Sequence, residues 1–157
     1  MEASIGSFFS NKAIIVVGAS ASREKFGNKV LRALKSTFVD GAPHNAAYKD
    51  RSIRLLAVNP KETVIEAITT LPTVKEAVQV LQTEGIAADS TGLSIITPPA
   101  ATSGVIGDGL SLGVRQFWCQ PGAESAEAKE RVEGAAGATL IAGGPCVLVE
   151  LGFHDDE

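Results

Sequence analysis

Apolar and polar positions change their spacing in blocks along the chain, between the period of a strand and that of a helix. The run Ala13–Val17 (AIIVV) is uninterrupted and rich in β-branched residues, which is typical of a strand covered on both faces of a parallel sheet. Between Lys25 and Phe38 the apolar residues recur every three or four positions, which predicts an amphipathic helix. Gly18 ends the strand, so we expect a strand, a glycine turn and a helix in succession.

The same alternation continues to the end of the chain. Further strands are predicted at Ser52–Val58, Leu93–Thr97, Gly113–Trp118 and Ala138–Ala142, with a short strand or turn at Val64–Ile68. Helices are predicted at Thr73–Thr83, Ala101–Leu112 and Ser125–Ala135, followed by a closing apolar segment at Pro145–Leu151. Alternating strands and helices favour an α/β fold with a Rossmann-like, doubly wound parallel sheet in three α/β/α layers.

The length of 157 residues fits one domain and leaves no room for a separate catalytic domain. We expect a single domain over residues 1–157, with a polar surface loop at 40–52 and an acidic tail at 152–157. The formal charge of −4 argues against a nucleic-acid partner, because affinity for phosphate backbones comes from clustered Lys and Arg.

No apolar run approaches the roughly 20 residues of a membrane-spanning helix, so no membrane association is expected. Residues 1–11 lack the features of a secretory or transit signal, which favours a cytoplasmic location. Cys119 and Cys146 are too few for a disulfide scaffold and lack metal-ligand spacing. A reducing compartment and no metal site are therefore the expectations.

In a doubly wound sheet, ligands bind beyond the carboxyl ends of the strands. The segment after the first strand, GASASREKFG, has Gly18 for a tight turn and two serine hydroxyls, and its Gly27 begins the helix. Amides at a helix N-terminus attract anions, so this segment predicts a phosphate site. The alternative is a glycine-rich strand-to-helix turn with no ligand.

Two departures from the dinucleotide-binding fingerprint argue against NAD. Ser20 stands where the second glycine is expected, and the last glycine is delayed to Gly27. The second predicted strand ends in Asn59-Pro60-Lys61 and not in the acidic residue that binds the ribose of NAD. Asn59 can bind a ribose or base, and Lys61 can face a ribose phosphate of coenzyme A (CoA) or NADP. A plain Asn-Pro turn with a solvated lysine is the alternative.

Five blocks in order together resemble a known family. VVGASASREKFGNKVLRAL, AVNP, IITPP, FWCQPGAESAEA and GGPCVLVE are similar to segments of the small stand-alone CoA-binding proteins. Those proteins are related in fold to the CoA-binding domain of the succinyl-CoA synthetase α subunit. The resemblance covers about Asn11 to Glu150 and implies a Rossmann-like domain with CoA, or an acyl-CoA, across its carboxyl edge.

The resemblance also implies which residues surround the ligand. Those near the pyrophosphate would be Gly18, Ala19, Ser20, Ser22, Lys25, Phe26 and Gly27. Asn59, Pro60 and Lys61 would lie towards the adenosine, and Thr97, Pro98 and Pro99 beside the middle of the ligand. Trp118, Gln120, Pro121 and Gly122 would line the remaining edge.

We find no catalytic motif in the sequence, so a binding module is favoured over an enzyme. His44 and His154 lie in polar segments outside any nucleophile or metal motif, and in the synthetase the active histidine belongs to a second domain. An NADP-dependent oxidoreductase or another nucleotide-cofactor binder is the alternative, although Tyr48, the only tyrosine, lies in the polar loop. A scaffold that has lost its ligand is a third class, and a protein partner is left open.

Two side chains near the end of the fourth main strand have two interpretations each. Trp118 either lines the cofactor groove or fills the end of the core. Cys119 either approaches the thiol of bound CoA, where oxidation would give a mixed disulfide, or acts as a small buried hydrophobe.

Overall fold

The computed structural model describes residues 2–155, with side chains from residue 4 onward. The strands are β1 Ala13–Val17, β2 Arg54–Val58, β3 Val64–Ile65, β4 Ile68–Leu71, β5 Thr91–Ile95, β6 Gln116–Cys119 and β7 Thr139–Ile141. The helices are α1 Glu2–Phe8, α2 Phe26–Phe38, α3 Val74–Thr83, α4 Pro99–Leu112, α5 Ala126–Glu133 and α6 Val147–Leu151.

The strands form one sheet in the order β3-β4-β2-β1-β5-β6-β7. All neighbouring pairs are parallel except β3 with β4. The parallel strands therefore follow the order of a dinucleotide-binding fold, in which the chain moves outward first on one side of β1 and then on the other. The predicted Rossmann-like fold is confirmed.

The switch point of this topology lies between β1 and β5. Val17, the last residue of β1, is in register with Val58 of β2 and Ile95 of β5. Three central strands thus end level with one another, and the segments that follow them emerge at one edge of the sheet. That carboxyl edge is where a doubly wound sheet binds its ligands.

The two faces of the sheet are covered by different helices, as the three-layer prediction requires. Ile14 and Val16 of β1 belong to a buried cluster with residues of α1, α2 and α6. Ile15 and Val17 face the opposite cluster, which includes residues of α3, α4 and α5. The period of two along the strand explains why the AIIVV run is apolar throughout.

The boundaries of several elements differ from the prediction. β5 begins at Thr91, two residues early, and ends at Ile95. β6 begins only at Gln116 because Gly113 is the left-handed C-cap of α4, with a φ of 100°. The segment at 64–68 is half of a hairpin, and β4 was not predicted. Glu66 and Ala67 form its turn at φ values of 50° and 64°, without the usual glycine or asparagine.

Helix starts agree more closely with the sequence. The hydroxyl of Thr73 accepts a hydrogen bond from the Glu76 amide at 3.2 Å, so the predicted cap of α3 is confirmed. Ser125 caps α5 in the same way, accepting from the Ala128 amide at 3.0 Å. α1 was not predicted, and the closing apolar segment contains the short helix α6.

The polar segment at 40–52 connects α2 to β2, which places it at the amino edge of the sheet, away from the predicted ligand. It contains one 3-10 turn, Ala46–Tyr48. The Asn45 side chain donates to the carbonyl of Glu150, and Arg51 donates to that of Phe9. The segment is thus attached to both termini of the fold.

Within residues 2–155, no helix is long and apolar enough to cross a membrane. The same part of the chain contains no group of three or more His, Cys, Asp or Glu side chains arranged to hold a metal ion.

Candidate functional site

Gly18 ends β1 in a conformation that requires glycine. Its φ is +95°, and a Cβ atom placed there would collide with the backbone carbonyl oxygen of Ile96. The Ile96 amide donates to the Val17 carbonyl at 2.8 Å, which keeps the two chains paired beyond the end of β5. The segments after β1 and β5 are therefore in direct backbone contact at the switch point.

Gly27 has a packing role that the sequence interpretation missed. A Cβ atom at Gly27 would meet the carbonyl oxygen of Gly18, so the first turn of α2 lies directly against the end of β1. The family resemblance places this glycine near the pyrophosphate of the ligand. The structure shows that the protein backbone itself needs the space, which is the usual reason for a glycine where helix and strand pack closely.

The intervening segment is held by its own polar groups. The Ser22 amide donates to the Ser20 hydroxyl at 3.1 Å, and the Ser22 hydroxyl donates to Glu24 at 2.6 Å. The buried side chain of Asn28, one turn into the segment's helix, donates to the Ser20 carbonyl at 2.8 Å. Both predicted serines are thus half-buried parts of an ordered turn, which we call the glycine loop (residues 18–27).

A charged network behind the glycine loop fixes it to the rest of the fold. Arg32 donates to the Asn28 side chain at 2.7 Å, to the Arg23 carbonyl at 2.9 Å and to Asp155 at 2.8 Å. Glu66, in the β3–β4 turn, accepts from both Arg23 and Asn28. Asn28 and Arg32 were not among the predicted site residues, and their only sequence signal was their polar character on an otherwise apolar helix face.

The pKa of the Glu66 carboxyl reflects this network. Its partial burial raises its pKa, but the hydrogen bonds from Asn28 and Arg23 and the charge of Arg23 together outweigh burial and leave the pKa below its usual value. Asp155 likewise pairs with Arg32 and Lys29, so the predicted acidic tail is anchored at this residue. Its last two residues, 156–157, lie outside the described part of the chain.

Asn59 connects the segment after β2 to the glycine loop. Its amide nitrogen donates to the Ala19 carbonyl at 2.9 Å, and its oxygen accepts from the amides of Lys61 and Glu62 at 2.8 and 3.0 Å. The predicted Asn-Pro turn is therefore present, and the side chain expected to bind a ribose is used to organise protein backbone. Pro60 is exposed beside it.

The start of α2 differs from the starts of α3 and α5. Its N-cap residue is Lys25, which has no side-chain acceptor, whereas Thr73 and Ser125 cap the other two helices. Within residues 2–155, the amides of Phe26 and Gly27 have no hydrogen-bond partner, as is also true of the first two amides of α3 and α5. Unpaired amides at a helix start are favourable partners for an anion.

Two lysines flank this helix start without ion-pair partners in the described chain. Lys25 lies at the start itself, and Lys61 follows the Asn59 turn; both are exposed. The loops that carry them are in contact through the Asn59–Ala19 hydrogen bond. Phe26 is half-buried and packs on the core beneath the loop.

The segments after β5 and β6 are also joined. The hydroxyls of Thr97 and Thr102 lie 2.8 Å apart, and the buried Thr102 hydroxyl donates to the Ala123 carbonyl at 2.7 Å. Pro98 and Pro99 stand exposed between the two threonines, and Pro121 and Gly122 are exposed on the neighbouring segment. Four consecutive segments thus form one continuous rim along the carboxyl edge.

Two predicted site residues do not reach that rim. Trp118 is fully buried among Phe8 and Phe9, and its indole nitrogen donates to the Pro145 carbonyl at 3.0 Å, so it fills the core and does not line a groove. Gln120 is also fully buried, and its side-chain oxygen accepts from the Val147 amide at the start of α6. Trp118 thus packs on the end of α1 and Gln120 on the start of α6, two helices that the sequence did not predict.

Cys119 is buried as well, at 1% exposure. Burial raises the pKa of its thiol to about 11, with a smaller contribution from the charge of Glu124. A neutral thiol is a poor nucleophile, so this environment favours the structural interpretation of Cys119 over the redox one.

The arrangement offers unpaired amides and Lys25 after β1, Lys61 after β2, and threonine, proline and glycine residues along the rim towards β6. His44 and His154 are distant in sequence from all four segments and lie beside one another, with ring centroids 5.8 Å apart. The rim is suited to holding an elongated phosphorylated ligand across several strand ends.

Solved structures of similar proteins share this fold. A conserved hypothetical protein from Pyrococcus furiosus is 28% identical, with a TM-score of 0.66, and the match covers 88% of this chain and 98% of that one. A hypothetical protein from Pyrococcus horikoshii is 20% identical with a TM-score of 0.70, covering 96% and 90% of the two chains. A protein from Thermus thermophilus is 20% identical, also with a TM-score of 0.70 and 96% of each chain covered.

No curated protein matches the chain. A family model described as a CoA binding domain matches residues 12–152, a range that contains all seven strands and every segment of the rim. This match extends over most of the chain, so the protein belongs to the CoA-binding domain family.

Proposed function

We propose that the protein binds coenzyme A or an acyl-CoA across its carboxyl edge and acts as a binding module without a reaction of its own. The observation that carries this proposal is the uncapped start of α2, which follows a glycine loop at the switch point of the sheet. In this placement the free amides of Phe26 and Gly27 would receive the pyrophosphate.

The two exposed lysines support a ligand with more negative charge than NAD. CoA carries a ribose phosphate in addition to its pyrophosphate, and Lys61 is placed next to the segment where the adenosine would lie. Lys25 stands at the helix start, where it would face the pyrophosphate. Neither lysine has an ion-pair partner within residues 2–155, so neither must be released before binding.

The end of β2 argues for CoA over NAD. An NAD site has an acidic side chain there that accepts from the ribose hydroxyls. This chain has Asn59, whose oxygen already accepts two backbone hydrogen bonds. With both acceptor positions in use, Asn59 has no free acceptor for a ribose hydroxyl.

The proposal that no reaction is catalysed is supported by the chemistry of the rim. Within the described residues, none of its four segments carries a histidine, and Cys119 is buried with a raised pKa. Catalytic nucleophiles need an adjacent base or a lowered pKa. A partner that supplies catalytic groups to a CoA held here is consistent with this arrangement.

Native mass spectrometry tests the proposal directly. The purified protein is measured as isolated and again after addition of CoA, NADP or NAD, each at the same concentration. We expect a complex whose added mass equals CoA, either retained or formed on addition. A complex with NADP alone would support the oxidoreductase alternative, and the absence of any complex would support a scaffold without ligand.

A further inference from the structure

A cavity of about 750 Å³ lies between the edge strand β7 and helix α5. Ala138, Leu140 and Ala142 line it from the strand, at the spacing of two that places side chains on one face. Val132 of α5 and the buried Cys119 line it as well. These five residues belong to, or pack on, the apolar cluster of that face, so they give the groove an apolar floor. Polar side chains complete the lining, namely Glu124, Ser125, Lys129 and Glu133.

The groove runs the length of β7. Ala138 and Ala142 are four residues apart, which corresponds to about 13 Å along a strand. An extended chain advances roughly 1.1–1.2 Å per bond, because three backbone bonds span 3.3–3.6 Å. The groove therefore has the length of an alkyl chain of about twelve carbons.

One end of the groove reaches the carboxyl edge of the sheet. Cys119 ends β6, Ala142 directly follows β7, and Glu124 lies in the segment after β6. From β1 to β7 the sheet advances by three strand spacings, or about 14–15 Å. At the same advance of roughly 1.1–1.2 Å per bond, the roughly 13 bonds of the pantetheine arm of CoA span about 15 Å.

We propose that this groove, which we call the β7 groove, holds the acyl chain of an acyl-CoA. The proposal rests on the proposed function, because the arm of a CoA bound at the switch point would bring its sulfur to the Ala142 end. The chain then runs along Ala142, Leu140 and Ala138 in turn. Burial against these side chains favours binding of an acyl-CoA with an unbranched, uncharged chain over binding of CoA, which ends in a free thiol.

Glu124 determines which chains the groove favours. Its carboxylate accepts from the Gly122 amide at 2.7 Å. Backbone hydrogen bonds, the largest within Glu124 itself and others from Gly122 and Gly143, lower its pKa despite some burial. The group is therefore ionised at neutral pH, next to an apolar floor. A chain that ends in a carboxylate is disfavoured, since the lining holds the carboxylates of Glu124 and Glu133 against the single ammonium of Lys129.

Calorimetric titration with CoA, butyryl-CoA, octanoyl-CoA and succinyl-CoA tests the proposal. Full burial of a methylene corresponds to about fourfold in affinity, and the open groove reduces this to about twofold. We expect octanoyl-CoA to bind at least tenfold more tightly than butyryl-CoA, and succinyl-CoA to bind more weakly than butyryl-CoA, its match in chain length.

Two substitutions, one at each end of the β7 groove, test where the acyl chain lies. Ala142→Phe fills the end at the carboxyl edge and should remove the preference for both butyryl-CoA and octanoyl-CoA over CoA. Ala138→Phe fills the far end and should reduce octanoyl-CoA affinity while leaving butyryl-CoA unchanged. Ala47→Phe, at an exposed position in the segment at 40–52, is the matched control and should change neither. Thermal unfolding and affinity for CoA itself show whether each variant is folded.

The outcomes separate the two proposals. If CoA binds and octanoyl-CoA binds no more tightly, the acyl site is wrong and the CoA site stands. If succinyl-CoA binds more tightly than butyryl-CoA, the groove takes a charged chain and the proposal is also wrong. If neither CoA nor any acyl-CoA binds, both proposals fail. If one of the two phenylalanine variants does not fold, the other variant and the titrations of the wild-type protein still test the acyl site.

Discussion

The side-chain amide of Asn59 donates a 2.9 Å hydrogen bond to the backbone carbonyl of Ala19, 40 residues earlier in the chain. This contact joins the turn after β2 to the glycine loop after β1. The same side chain accepts from the amides of Lys61 and Glu62. One residue thus fixes the relative position of the two segments proposed to hold the adenosine and the pyrophosphate.

Replacing Asn59 should therefore affect stability and binding together. Asn59→Ala removes one donated and two accepted hydrogen bonds from a half-buried position, and we expect the free energy of unfolding to fall by about 1–2 kcal/mol. CoA affinity should also fall, because the two loops lose their connection. Urea unfolding and calorimetry measure the two effects. Gln79→Ala, on the exposed face of α3, should stay within about 0.5 kcal/mol of wild type, and an equal loss in both variants would contradict the account.

Gly27 is predicted to be a structural requirement. Gly27→Ala introduces a Cβ against the carbonyl of Gly18, and overpacking of this kind costs about 1–3 kcal/mol. Gly104→Ala is the matched control, because Gly104 lies on α4 with no atom within 4 Å of the added Cβ. That substitution should raise stability by about 0.4–1 kcal/mol. Chemical denaturation showing no difference between the two variants would contradict the packing at Gly27.

Lys61 is predicted to distinguish CoA from its dephosphorylated form. An exposed charge pair contributes about 0.2–1 kcal/mol, so Lys61→Ala should weaken CoA by at most about fivefold and leave dephospho-CoA nearly unchanged. Added salt should reduce the difference, because exposed charges are screened over about 10 Å at 0.1 M. Lys49→Ala, exposed in the segment at 40–52, is the control. Equal weakening of both ligands would place Lys61 away from the ribose phosphate.

Cys119 is predicted to be unreactive in the folded protein. Burial raises the pKa of its thiol from 9.0 to about 11, so its thiolate fraction at pH 8 should be about a hundredfold below that of the unfolded chain. Alkylation with iodoacetamide at pH 8, followed by mass spectrometry, should label Cys119 only after unfolding. Labelling in the native protein at the rate seen in urea would restore the redox interpretation.

The sequence predicted those elements whose periodicity reflects burial. β1 is covered on both faces, so its sequence AIIVV is apolar throughout, and α2 has one apolar face. The bounds of both elements were therefore predicted to within one residue. α1 was missed because its seven residues are too few to establish a helical period from Ile5 and Phe8 alone; it is stabilised by tertiary contacts such as those of Phe8 with Trp118. The turn between β3 and β4 was missed because Glu66 and Ala67 adopt positive φ without a turn sequence.

The site was predicted as a set of segments, and less well as a set of side chains. Topology alone brings the ends of parallel strands to one edge, so the positions after β1, β2, β5 and β6 could be identified from the sequence. The partners of Asn59 and the contact between Gly27 and Gly18 depend on residues distant in the chain or on backbone geometry, which composition does not encode. Gln120 was assigned to the rim, and the core position of Trp118 was left as one of two alternatives, because α6 and α1, which pack on them, were not anticipated.

The central claim, that the carboxyl edge binds CoA, is tested most directly by isothermal titration of the wild-type protein with CoA, NADP and NAD in the same buffer. The account predicts saturable binding of one CoA per chain, with a dissociation constant lower than those of NADP and NAD. Tighter binding of NAD or NADP than of CoA, or no heat of binding with CoA, would contradict it.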